Sequence, residues 1–98
     1  MFAGDSHTVY GPYTISCLAL NEFKFEDLTG HRPEAALRHI IEKEVNGQWQ
    51  VVSTTTSYGA ARVNRSFMPT SVGVYQYRIE NLGPARVRSW KMKGVISL

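Results

Sequence analysis

The sequence predicts an all-β chain, an antiparallel β-sandwich of about seven strands. Three observations predict it. Residues 73–81 alternate strictly: Tyr75, Tyr77 and Ile79 fall on one face, Gln76, Arg78 and Glu80 on the other, as in a sheet strand with one buried side. Val51-Val52-Ser53-Thr54-Thr55-Thr56 is a run of residue types that favour strands. Turn formers at Gly11-Pro12, Asn46-Gly47, Tyr58-Gly59 and Gly83-Pro84 divide the chain into short segments.

Residues 7–10 read as a short edge strand closed by Gly11-Pro12, whose proline cannot donate to a ladder. Next, Tyr13, Ile15, Cys17 and Ala19 alternate with Thr14, Ser16, Leu18 and Leu20. Phe23 and Phe25 resume the alternation against Lys24 and Glu26 after a bulge or tight turn at Asn21-Glu22. Both phenylalanines are assigned to the core, since aromatics two apart suit a buried sheet face. Residues 27–33 form a loop by composition.

Residues 33–45 admit two readings. Pro33 in a first turn, Glu34 at the positive end of the dipole, and Leu37, Ile40, Ile41 and Val45 at helical spacing describe a helix, which would make the chain α+β. The other reading is a hairpin, 36–44 pairing with 48–57. A two-residue Asn46-Gly47 turn would set Glu44 opposite Trp49 and Glu42 opposite Val51, mixing polar and apolar on one face. A three-residue loop, Val45-Asn46-Gly47, instead pairs Glu44 with Gln48, Glu42 with Gln50, Ile41 with Val51 and Ile40 with Val52. It sorts the faces better and is the expected register. Residues 61–68 give a further strand, with Ala61, Val63 and Arg65 opposing Arg62, Asn64 and Ser66. The last strand is expected over 85–98, with Gly94 as a bulge.

The 98 residues suit one domain spanning 1–98, with 43% hydrophobic and 19% charged residues, neither disordered nor membrane-spanning in composition. Eleven Lys and Arg against eight Asp and Glu leave +3, below the bias of a dedicated nucleic-acid binder. Cys17 is the single cysteine, which excludes an internal disulfide and a multi-cysteine zinc site; it is expected to be a small buried side chain. Residues 1–6 lack the charged start and apolar stretch of a signal peptide, which fits either an intracellular protein or the mature form of an exported one.

Asn46-Gly47-Gln48-Trp49, then Pro69 and Gly73-Val74-Tyr75-Gln76-Tyr77-Arg78, then residues 87–98 together resemble the last strands of small immunoglobulin-like sandwiches of secreted and surface bacterial proteins. The resemblance covers about half the chain and implies the hairpin over the helix, an extracellular setting, and a tyrosine corner in which the Tyr75 hydroxyl bonds to upstream backbone. It also implies that Tyr77 stands where immunoglobulin domains carry their second cysteine, with Cys17 near the first.

No catalytic residue or cofactor is expected. His7, His31 and His39 lie on separate segments, and no serine or cysteine is joined to one by a known motif. Asp5 with His7, or Asp27 with His31, would bind metal only if folding converged them. No phosphate-binding glycine loop is present. Glu42 and Glu44 are read as a wet strand face. The candidate binding surface is the last strand, where Arg86, Arg88, Lys91 and Lys93 interleave with Trp90 and Met92, so that basic and apolar groups share one surface; Arg62, Arg65 and Arg78 would extend it if their strands are neighbours. The expected function is therefore a non-enzymatic secreted or surface module that binds a protein, glycan or membrane partner. Nucleic-acid or anionic-polymer binding through the basic strand is the alternative. A toxin, inhibitor or assembly subunit, forming a homo-oligomer through strand edges, is the second alternative.

Overall fold

The computed structural model describes residues 1–29 and 34–96, in which seven strands form two antiparallel sheets and no helix occurs. The strands are β1 (Ser6–Ile15), β2 (Asn21–Asp27), β3 (Ala36–Val45), β4 (Gln48–Tyr58), β5 (Arg62–Phe67), β6 (Gly73–Gly83) and β7 (Trp90–Ile96). One sheet has the order β1-β6-β3-β4 and the other β5-β2-β7. Between them lies a core of Ile15, Phe23, Phe25, Leu37, Ile41, Tyr75, Tyr77, Ile79 and Val87. The alternation of residues 73–81 thus buries its tyrosines inward, and β6 is flanked on both sides, by β1 and β3.

The helix over 33–45 is overturned: residues 36–45 are strand, and Pro33 lies outside the described residues. The helical spacing has a physical origin. Leu37, His39 and Ile41 face the core, while Ile40 and Glu42 are also buried, on the outer face of the sheet. A strand covered on both faces loses its period of two.

The hairpin register is the other correction. Asn46 (φ 52°) and Gly47 (φ 78°) form a two-residue turn, and Val45 pairs with Gln48, Glu44 with Trp49 and Glu42 with Val51. Positive φ at both positions is what the Asn-Gly pair supplies, and its twist matches that of the strands. The mixed face predicted for this register exists and is tolerated, because β4 is a sheet edge and Trp49 and Val51 face solvent. One extra residue in β4, Val52, then shifts the pairing, so that Ile41, His39 and Leu37 lie opposite Ser53, Thr55 and Ser57.

β1 is one strand through Gly11-Pro12, with pairing irregularities before that pair, between Thr8 and Tyr10, and across it, between Tyr10 and Tyr13. Residues 16–20 then cross to the second sheet and leave Cys17 exposed, contrary to the buried cysteine expected. Tyr77 packs edge-on against the rings of Phe23 at 4.9 Å and His39 at 5.9 Å, while Cys17 lies at the surface. The Tyr75 hydroxyl donates to the Ser71 carbonyl at 2.6 Å and ties down the loop entering β6, as the resemblance implied.

β7 starts at Trp90, not at Ala85. Residues 84–89 are a connection that sinks Val87 into the core and is held by Thr29, whose hydroxyl accepts from the Arg88 and Ser89 amides at 2.9 and 3.2 Å. Gly94 is no bulge: it pairs with Phe23 in regular register, and a Cβ there would stand 2.6 Å from the Tyr10 ring. The glycine is needed because an aromatic ring lies on the backbone.

Candidate anion-binding face

Antiparallel pairing places directly opposed residues on one face of a sheet. Around β2 this fixes three outward rows: Arg62–Glu26–Lys91, Asn64–Lys24–Lys93 and Ser66–Glu22–Val95. The inward rows between them carry Phe25 with Val63 and Met92, and Phe23 with Arg65 and Gly94. The alternation in Phe23-Lys24-Phe25-Glu26 that buries two rings therefore also lifts Lys24 into solvent at the middle of the small sheet.

In the first outward row Glu26 accepts from Arg62 Nε at 2.6 Å and lies opposite Lys91. The second row has no carboxylate. Lys24 and Lys93 are cross-strand partners, a juxtaposition that opposes sheet formation. These side chains line a concavity of about 340 Å³ bounded by Lys24, Phe25, Glu26, Arg62, Asn64, Lys91 and Lys93. Its chemistry is that of a seat for an anion: several cationic donors and an amide converging on one hollow, with a single carboxylate already engaged by Arg62.

Of the five residues expected to bind on the last strand, two lie at this concavity. Lys91 and Lys93 line the concavity, and Arg62 joins them from β5, which β2 separates from β7. Arg86 and Arg88 do not belong to it: both are in the 84–89 connection, and the Arg86 guanidinium lies over the Phe2 ring at 4.1 Å. Trp90 and Met92 point to the other side of β7, against the core, with Trp90 edge-on to His7 at 5.2 Å. Basic and apolar groups thus occupy opposite faces, because a strand sends adjacent residues to opposite sides. Arg65 turns inward, and Arg78 sits on the outer face of the other sheet. Lys24 and Asn64 were missed as site residues; their alternation is visible in the sequence, but the adjacency of β2, β5 and β7 is not.

The outer face of the four-stranded sheet carries matched charges. Glu42, read as part of a wet face, is buried there; one carboxylate oxygen accepts from Arg78 Nε at 2.9 Å and Gln76 Nε2 at 3.0 Å, the other from Arg78 Nη2 at 3.3 Å. Burial acts to raise its pKa, but these hydrogen bonds and the Arg78 charge prevail and hold it below the ordinary value. Beside it Arg38 pairs with Glu80 at 3.1 Å.

Inside, His39 bonds Tyr77 Oη through Nδ1 at 2.8 Å and Ser57 Oγ through Nε2 at 2.9 Å. Arg65 closes this edge of the sandwich by donating to the His39 carbonyl at 2.9 Å and to Ser53 Oγ. The Ser57–His39 pair has the separation of a nucleophile and its base. It was not legible in the sequence, because the Val52 insertion decides which serine reaches the ring. Burial, with Arg65 nearby, lowers the His39 pKa to about 4, so the ring is a weak base at neutral pH, and its second nitrogen meets a phenol in place of a carboxylate. The arrangement satisfies buried polar groups in a core. Among the described residues no group of three or more His, Cys, Asp or Glu is placed to hold a metal ion; His31 and its suggested pairing with Asp27 fall outside them. No family model, curated protein or solved structure matches the chain.

Proposed function

We propose that this chain is a non-enzymatic binding module whose β5-β2-β7 outer face holds an anionic partner presenting phosphate or sulfate groups. The observation that carries the reading is the Lys24–Lys93 pair: two cations opposed across strands, in a row without a carboxylate, at a hollow that Lys91 and Arg62 also line. Such a pair costs folding stability by repulsion, and an anion between the two ammonium groups reverses that sign. Trp90, the aromatic residue of β7, packs against the core, so β7 offers this face no ring for stacked bases; that favours recognition by charge, as with a sulfated glycan, over single-stranded nucleic acid read by stacking. A secreted or surface setting and an immunoglobulin-like ancestry belong to the same proposal. The two antiparallel sheets and the Tyr75–Ser71 bond support the ancestry. The terminal strands depart from it, since β1 lies beside β6 and β7 beside β2, whereas immunoglobulin domains pair first with second and last with sixth.

Titration with a heparin oligosaccharide and, separately, with an oligonucleotide tests the proposal. Affinity is expected to fall as salt rises, with a log–log slope that flattens by about one for each lysine removed in Lys24→Ala and Lys93→Ala. Absence of binding to either polyanion at low salt would refute it.

A further inference from the structure

The two sheets have four edge strands, and three carry features that discourage pairing with another chain. β1 is interrupted by Gly11-Pro12 and by pairing irregularities, β5 is six residues long with Arg62 and Arg65, and β7 alternates Lys91 and Lys93 before Gly94. Charges, proline, bulges and short length are the devices by which edges avoid association. β4 is different: eleven residues long, paired among the described residues only along its β3 side, with no charged residue, proline or glycine from Gln48 to Tyr58. It also exposes Trp49, Val51, Val52 and, at 75%, Tyr58. The Val52 insertion disturbs one end; from Ser53 onward its register with β3 is regular.

We infer that β4 is the contact through which two copies of this chain associate, antiparallel about a two-fold axis through Thr55, merging two four-stranded sheets into one of eight. The sequence at that place argues for a second copy over a foreign strand. Ser53-Thr54-Thr55-Thr56-Ser57 reads identically in both directions, so antiparallel pairing about Thr55 sets Ser53 against Ser57 and Thr54 against Thr56 of the other copy, with Thr55 meeting itself. A two-fold interface must be self-complementary, and a palindromic segment meets that requirement in residue type and polarity. An axis perpendicular to the sheet keeps outer faces together, which brings Val52 opposite Tyr58 of the second copy and covers two exposed apolar groups with each other. Cross-strand Thr–Thr and aromatic–aliphatic pairs are favourable combinations, and no like charges are opposed.

Sedimentation equilibrium over a wide concentration range, paired with amide hydrogen exchange, tests this. Wild type is expected to dimerise, with exchange of the 53–58 amides slowing as concentration rises. Thr55→Lys sets two ammonium groups on the axis and is expected to weaken the dimer by about tenfold or more. Should that variant fail to fold, the concentration dependence of wild-type exchange decides alone. A monomer at all concentrations, or a dimer whose 53–58 amides exchange as freely as the monomer's, overturns the inference.

Discussion

The outer faces of the two sheets use the same residue types to opposite ends. On the four-stranded sheet Arg78 is locked to Glu42 and Arg38 to Glu80, and a glutamine and a serine complete the network: Gln76 on Glu42, and Ser6 Oγ accepting from Arg78 at 2.7 Å. On the three-stranded sheet Arg62 has Glu26, while Lys24 and Lys93 have each other. Composition cannot distinguish these surfaces; only the strand order can, by deciding which charges become neighbours. Paired charges contribute to stability, and opposed like charges detract from it while leaving a surface able to bind.

Breaking the paired face should cost most. Glu42→Ala strands the half-buried Arg78 guanidinium and is expected to lower unfolding free energy by about 3 kcal/mol in urea denaturation. The exposed Arg38–Glu80 pair should be worth only about 0.5 kcal/mol by double-mutant cycle, which grades the contrast within one face. Acidification probes the interior between the faces. His39 falls from 6.5 unfolded to about 4 folded, so the unfolded chain binds the extra proton between those values. Stability is therefore full above about pH 6.5 and declines as pH drops toward 4, by about 3 kcal/mol, a slope that His39→Phe should remove. Glu42, lowered from 4.5, adds its own loss as pH falls below about 4.5.

Gly94→Ala should cost about 1–3 kcal/mol by pressing a methyl group on the Tyr10 ring, with the loss relieved in Tyr10→Ala. A small effect is the sharpest for the comparison. Lys24→Glu is expected to raise thermal stability, by up to about 1 kcal/mol, because it replaces an opposed pair by an attractive one, whereas charge reversal at Glu42, Arg78, Arg38 or Glu80 should lower it.

Strand identity was legible where one face alone is buried, as in residues 73–81 and in Phe23 and Phe25. It was ambiguous at β3, buried on both faces, where Leu37, Ile40, Ile41 and Val45 mimic a helix. The hairpin register was misjudged because sorting polar from apolar was assumed to matter on both sides of β4, and an edge strand has no such requirement at Trp49 and Val51. The candidate face was half legible: Lys91 and Lys93 are plain in the sequence, but Arg86 and Arg88 appear continuous with them until Val87 is seen to draw the chain into the core. Lys24 enters only through β2–β7 pairing, a contact between residues some seventy positions apart.

The central claim is that the unpaired lysines, and not basic charge in general, make the binding surface. The most direct measurement is the salt concentration at which Lys93→Gln and Arg38→Gln elute from a heparin column, each variant losing one positive charge. The account predicts that Lys93→Gln elutes well before wild type while Arg38→Gln elutes with it. Equal shifts for the two variants, or a wild type that is not retained, would contradict it.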